Sequence, residues 1–151
     1  MKNLFLFIAL LFAGSTMAVD LGHDAKIFYD ANGNLYNGKY FTYHANGKVA
    51  TDFDIKEGKI IGTAKFFYES GQLLESGNYT NGLKDGAWTK YSKDGKVLST
   101  ANFKNGEKDG AWYVYDNSGQ MLFEMHYTNG KRSGTWKQWD SNGKLISTKT
   151  Y

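Results

Sequence analysis

Residues 86–110, GAWTKYSKDGKVLSTANFKNGEKDG, contain the pattern that decides the fold. Their glycines belong to three registers that run along the chain, and successive members of each register are 24 residues apart. The registers are Gly38, Gly62, Gly86, Gly110 and Gly134; Gly47, Gly71, Gly95, Gly119 and Gly143; and Gly58, Gly82, Gly106 and Gly130. Spacing kept without insertion or deletion indicates five tandem repeats, which begin at 38, 62, 86, 110 and 134.

Aromatic and apolar residues follow the same period. Two residues after the first glycine stand Tyr40, Ala64, Trp88, Trp112 and Trp136. Three residues further on stand Tyr43, Phe67, Tyr91, Tyr115 and Trp139. An apolar pair, such as Val97-Leu98, follows the second glycine. Asn-Gly and Asp-Gly dipeptides between these positions favour tight turns, because glycine adopts positive φ without a Cβ clash.

Each repeat is therefore predicted to be one β-hairpin. The predicted fold is all-β, with tandem 24-residue hairpins forming an elongated, curved antiparallel sheet. The predicted turn glycines are Gly62, Gly86, Gly110, Gly134, Gly71, Gly95, Gly119 and Gly143. The spacing of three between Trp88 and Tyr91 places their rings on opposite faces of a regular strand, unless a bulge intervenes. The sequence leaves that choice open.

The N-terminal residues resemble an export signal. Lys2 precedes an apolar run from Leu4 to Ala13, and small residues lead to Ala18. Residues 1–18 are predicted to be a signal peptide, 19–26 a flexible leader and 27–151 the repeat domain, with 27–36 as a truncated leading hairpin that acts as a cap. The final strand, which ends at Tyr151, is expected to be an open edge available for self-association.

Composition limits the choice of partner. The chain has no cysteine, so disulfides are excluded, and its formal net charge is only +3. Lys and Asp or Glu recur together in the turns, whereas a nucleic-acid-binding protein usually has a basic stripe. A protein partner is therefore predicted, and nucleic acid is not. Contact with membrane lipid stays open as an alternative, but no sequence feature supports it.

Residues that carry chemistry are sparse. The three histidines, His23, His44 and His126, occupy non-equivalent positions, and no cysteine is present to complete a zinc site. Asp85 and Asp109 precede glycines at one repeat position, where turn formation explains them better than paired-acid catalysis. We therefore predict no enzyme activity, no catalytic residue, no metal and no cofactor.

The periodic aromatic residues are the candidate binding sites. A sheet with nothing predicted to cover it leaves such rings exposed, and exposed apolar patches often mark interaction sites. Tyr and Trp are also common anchors of protein interfaces. The predicted binding residues are Trp88, Trp112, Trp136, Tyr91, Tyr115 and Trp139.

The repeat resembles a known family. Its signature is G-x-W-x-x-Y-x-x-x-G followed by an apolar pair, closing in Phe or Tyr, x, N-G-x-x-x-G, as in residues 86–110. This pattern resembles the MORN-repeat variant family, whose bacterial members are often named YwqK-family antitoxins. The resemblance implies tandem β-hairpins that act in protein or lipid contacts, with no shared catalytic residues.

Three functional hypotheses follow. The first is an exported binding or scaffold protein of the periplasm or cell surface, or a secreted one, with a possible role in adhesion. The second is an antitoxin-like protein that neutralises a partner toxin. The third is a small outer-membrane β-barrel, but the apolar band that such a barrel presents to lipid is interrupted here by Lys90, Lys104, Lys137 and Lys149.

Export predicts a processed N-terminus. Cell fractionation followed by N-terminal sequencing should place the protein outside the cytoplasm, with its first residue near Val19. Recovery of an uncleaved chain in the cytoplasm would contradict the signal-peptide assignment.

Overall fold

The computed structural model describes residues 17–19 and 26–151. The predicted signal peptide and leader lie outside the described residues, apart from 17–19 and Lys26. The described residues form strands and turns, and no helix among them has the length and hydropathy to cross a membrane. The all-β prediction is confirmed.

The strands follow one another along the chain as consecutive hairpins. They are β1 (Met17–Val19), β2 (Ile27–Tyr29), β3 (Gly38–Tyr43), β4 (Val49–Lys56), β5 (Lys59–Phe67), β6 (Leu73–Thr80), β7 (Leu83–Tyr91), β8 (Val97–Lys104), β9 (Glu107–Lys108), β10 (Gly110–Tyr115), β11 (Met121–Thr128), β12 (Lys131–Trp139) and β13 (Leu145–Thr150). Strands β3 to β13 form one open antiparallel sheet in chain order, in which β9 and β10 both pair with β8. A separate two-stranded sheet joins β1 to β2.

Two kinds of turn alternate along the sheet. The turn within each repeat closes with a glycine, as where Gly47 N–H donates to the His44 carbonyl at 2.9 Å. The turn between repeats has two central residues that both adopt positive φ, for example Asn81 at 52° and Gly82 at 81°. Positive φ at both central residues matches the right-handed twist of the adjoining strands, and this explains the recurring Asn-Gly dipeptides.

The structure corrects the prediction that Gly62, Gly86, Gly110 and Gly134 are turn glycines, because they lie within strands. Each has positive φ and marks a bulge against the preceding strand. Asp52 pairs with Lys65 and Asp54 with Ile61, so β5 has two residues more than β4 over this interval. Glycine suits a bulge for the same reason that it suits a turn, and a bulge bends and twists the strand.

The leading segment 27–36 packs at the first end of the sheet. Phe28 N–H donates to the Gly58 carbonyl at 2.8 Å, and Gly58 N–H donates to the Tyr36 carbonyl at 2.9 Å. Phe28 is 1% exposed and joins the buried core, which also comprises Phe53, Ile55, Ile60, Ala64 and Trp88. The core is therefore concentrated at the N-terminal end of the sheet.

One turn departs from the Asn-Gly pattern and generates a prediction. Glu57 adopts φ of 49°, whereas its equivalents Asn81, Asn105 and Asn129 are residues that tolerate this conformation. Glu57→Asn should raise the free energy of unfolding by about 1 kcal/mol, because a left-handed conformation costs most residues ~1–2 kcal/mol. Chemical denaturation would measure the change.

The matched control is the reverse change, Asn81→Glu, at the equivalent turn. It should lower the free energy of unfolding by a similar amount, since Asn81 has nearly the same φ. If the two changes shifted stability in the same direction, strain at Glu57 would not be the cause.

Candidate binding surface

One face of the sheet carries a continuous row of aromatic rings, which we call the aromatic ladder. Consecutive rings have centroids 4.9–6.4 Å apart. The row comprises Phe28, Tyr40, Phe53, Phe66, Trp88, Phe103, Trp112, Tyr127, Trp136 and Tyr151. Most pairs are tilted or edge-to-face, which is the favoured arrangement for aromatic rings at this separation. We call this side of the sheet the ladder face.

The three ladder tryptophans are held by equivalent hydrogen bonds. The indole N–H of each donates to a backbone carbonyl of the preceding strand. The acceptors are Asn78 for Trp88 at 3.2 Å, Asn102 for Trp112 at 3.0 Å and His126 for Trp136 at 2.9 Å. Because a buried indole usually needs such a partner, these bonds fix each ring against the repeat before it.

Trp88 fills a space that its neighbours leave. It is 2% exposed, and Ala64, which stands at the tryptophan position of the preceding repeat, is fully buried. Gly77 lies directly under the Trp88 ring, so that a side chain at this position would overlap Trp88 Cδ2. The N-terminal half of the ladder is therefore core, and Trp88 is a structural residue.

The C-terminal half of the ladder is only half-buried. Trp112, Tyr127 and Trp136 have intermediate exposure, and Tyr151 is 41% exposed. A groove of about 180 Å³ runs beside Trp136, and its lining includes Phe123, Met125, Lys149 and Tyr151. Unlike Trp88, this part of the ladder is accessible to a partner.

Basic side chains lie over the ladder at one repeat position. Lys84 Nζ is 3.7 Å from the centre of the Trp88 ring, Lys108 Nζ is 4.5 Å from that of Trp112, and Arg132 Cζ is 4.9 Å from that of Trp136. A cation at this distance is attracted to the negative face of the ring. Sequence reasoning did not single these residues out, although their 24-residue spacing was visible.

The other predicted binding residues, Tyr91, Tyr115 and Trp139, do not join the ladder. Strand β7 is regular from Trp88 to Lys90, where each residue pairs with one residue of β6. The register between β7 and β8 shifts after Lys90, but the extra residue, Leu98, belongs to β8 and not to β7. Alternation along β7 therefore places Tyr91 on the face opposite Trp88. The same shift recurs at Tyr115 and Trp139. The six predicted binding residues are thus divided between two faces.

This opposite face carries ion pairs. Lys39 Nζ lies 3.3 Å from Asp52 Oδ1 and 3.0 Å from Asp54 Oδ2. Lys137 Nζ donates to Glu124 Oε2 at 3.1 Å, and this hydrogen bond, with a second from His126, holds the pKa of Glu124 below its usual value. On the same face, Phe41 and Phe67 line a hollow of about 470 Å³.

The remaining candidate residues serve local structure. His44 Nε2 is 2.9 Å from the Phe67 carbonyl, and Asp109 Oδ1 accepts a hydrogen bond from Asn129 N–H at 3.1 Å. His23 lies outside the described residues. Within residues 17–19 and 26–151, no group of three or more His, Cys, Asp or Glu side chains could hold a metal ion.

These features define a tandem β-hairpin repeat protein. The model of the MORN repeat variant family matches residues 36–52, 60–81, 84–105, 108–129 and 132–151. The chain belongs to this family, and the resemblance seen in the sequence is confirmed. MORN repeats are often involved in binding, or in membrane and protein interaction. A comparison with curated proteins gives no match.

Solved structures show a weak likeness. A crystal structure of TarM is 11% identical, with a TM-score of 0.38, and the match covers 77% of this chain and 20% of that one. A mutant of S. aureus TarM, in complex with Fondaparinux, alpha-GlcNAc-glycerol and UDP, is 10% identical, with a TM-score of 0.39 and coverage of 78% and 21%. The match spans about a fifth of the TarM chains, and no functional argument rests on it.

The contact between Gly77 and Trp88 generates a prediction. Gly77→Ala should lower the free energy of unfolding by about 1–3 kcal/mol, because the added methyl group overlaps the indole ring. Gly77 does not have positive φ, so alanine adds no backbone strain there. Denaturant titration would measure the loss.

A double-mutant cycle separates this overlap from other effects. Trp88→Leu should be less destabilising in the Gly77→Ala background than in the wild type, because the smaller side chain leaves room for the methyl group. Additive losses would show that the two residues do not interact.

Proposed function

We propose that this protein is a non-enzymatic binding or scaffold protein that acts outside the cytoplasm and holds a protein partner on the C-terminal half of its ladder face. The supporting observation is the gradient of exposure along one aromatic row. Trp88 is 2% exposed, whereas Tyr151, at the other end, is 41% exposed. The first half of the ladder builds the core, and the second presents similar rings to solvent.

The preformed geometry of the surface favours binding. The rings of Trp112 and Trp136 are fixed by their indole hydrogen bonds, so little side-chain freedom remains to be lost when a partner docks. Tyr and Trp in such settings are frequent interface anchors. Among the described residues, no segment covers these rings, which have intermediate exposure.

The location of the function is inferred from the N-terminal sequence. A predicted signal peptide over residues 1–18 favours a periplasmic, cell-surface or secreted role. Adhesion and toxin neutralisation would both use a surface of this kind, and export favours adhesion.

Adjacent residues of β13 allow a test of which face binds. Ser147 pairs with Gln138 and lies on the ladder face, whereas Thr148 pairs with Lys137 and lies on the opposite face, and both are exposed. The chain has no cysteine, so Ser147→Cys or Thr148→Cys would each carry one photo-crosslinker at a defined site. On intact producing cells, the label at 147 should yield a covalent adduct with a protein.

The label at Thr148→Cys is the matched control, since it differs by one position and samples the other face. Mass spectrometry of the adducts would identify the crosslinked partner and the residue involved. Adducts that form equally from both labels, or only from the one at 148, would refute the ladder face as the binding surface.

A further inference from the structure

One basic residue of the ladder already has a carboxylate partner within the chain. Lys84 Nζ lies 3.6 Å from Glu75 Oε1, and the same ammonium group is 3.7 Å from the centre of the Trp88 ring and 5.1 Å from that of Phe103. Both charged side chains remain about one-third exposed. In this repeat, a carboxylate therefore pairs with a cation that itself lies over aromatic rings.

The next two repeats have a cation over aromatic rings at the same position. Lys108 Nζ is 4.5 Å from the centre of the Trp112 ring and 4.9 Å from that of Tyr127. Arg132 Cζ is 4.9 Å from the centre of the Trp136 ring and 5.4 Å from that of Tyr151. Both therefore match Lys84 in their placement on the aromatic rings.

The carboxylate is what these two repeats lack. Ser99 and Phe123 stand 24 and 48 residues after Glu75, at its position in the following repeats. Among the described residues, no salt bridge involves Lys108 or Arg132. The ladder-face positions of β8 to β13 include no Asp or Glu, so these cations lie on a surface without compensating charge.

We propose that Lys108 and Arg132 bind the carboxylates of an acidic, extended segment of a protein partner, each carboxylate taking the place that Glu75 occupies beside Lys84. This inference rests on the proposed function, because it identifies the chemistry of the partner on the ladder face. A carboxylate on an aliphatic stem suits the site, since the stem can pack on the rings while the charge meets the cation.

The spacing of the two cations fits such a segment. Gly130 N–H donates to the Lys108 carbonyl at 2.9 Å, and Arg132 follows two residues later in the next strand, so the backbone positions of Lys108 and Arg132 are roughly 10 Å apart. A peptide in the extended polyproline II conformation has three residues per turn and advances ~3.1 Å per residue, so side chains three residues apart point the same way and are about 9 Å apart. The expected partner therefore carries acidic residues at a spacing of about three.

Two variants at this repeat position test the proposal in opposite directions, because one adds a carboxylate to the ladder face and the other removes one. Ser99→Glu should supply Lys108 with an internal carboxylate, as Glu75 does for Lys84, and thereby compete with the partner. Glu75→Ser should release Lys84 and add a third cationic position. Lys65→Gln is the control, because Lys65 is exposed on the opposite face.

The probe is a fluorescent peptide with glutamate at every third position, and its glutamine counterpart tests the need for charge. We expect Ser99→Glu to weaken binding roughly two- to fivefold and Glu75→Ser to strengthen it by a similar factor, which is the range for partly exposed ion pairs. Lys65→Gln should leave it unchanged. Binding should weaken as salt concentration rises.

Thermal denaturation of each variant shows whether a change in affinity comes from a loss of folding. We expect Ser99→Glu to be as stable as the wild type. Equal binding of the glutamine peptide, or unchanged affinity in Ser99→Glu, would overturn the proposal. So would binding to phosphatidylglycerol-containing vesicles without binding to the peptide.

The crosslinking experiment at Ser147 separates the two proposals. A protein adduct from the ladder face together with failure of the glutamate peptide would refute only the acidic chemistry. Absence of the ladder-face adduct would refute the binding surface itself.

Discussion

The hydrogen bond from each ladder tryptophan to the preceding strand is the interaction on which the architecture depends. A bulge at the positive-φ glycine places the tryptophan two residues later, where its indole N–H reaches a backbone carbonyl across the strand boundary. A second contact joins the same repeats at the turn, where Gly106 N–H donates to the Lys84 carbonyl at 2.8 Å and Gly130 N–H to the Lys108 carbonyl at 2.9 Å. The hairpins that begin at Gly86 and Gly110 are therefore each fixed to the preceding hairpin at two separate points.

Stacking of the rings explains how the long sheet is stabilised without a helix or second full sheet among the described residues. The apolar surface of each repeat is buried against the repeats on either side, as in other linear repeat proteins. Phe28 begins the row, and Trp88 covers Ala64 and Gly77, where the second repeat has no large side chain. Burial consequently decreases towards the C-terminal repeats, and this gradient leaves Trp112 and Trp136 accessible.

The sequence predicted the repeat, the hairpins and the tandem sheet, because glycine spacing and Asn-Gly turns depend on local conformation. It did not separate bulge from turn, since Gly62 and Gly82 both need positive φ and only strand pairing distinguishes them. The face of Tyr91 was also undetermined, because the extra residue that shifts the register, Leu98, belongs to the neighbouring strand. The deep burial of Trp88 depends on Gly77, which lies beneath the ring at a position outside the repeat signature, and on Ala64, which replaces the tryptophan of the preceding repeat.

The positions that stabilise the fold recur in the repeats, whereas the position that sets the charge of the ladder face varies between them. The bulge glycine and the closing aromatic residue are present in each of the last three repeats, whereas the position of Glu75 changes to Ser99 and then to Phe123. A glutamate in every repeat would neutralise the cation of the ladder in each, and the surface would have no net attraction for an acidic partner. Because the fold does not require a carboxylate there, variation at this one position can set the charge of the ladder face while leaving the stacked rings intact.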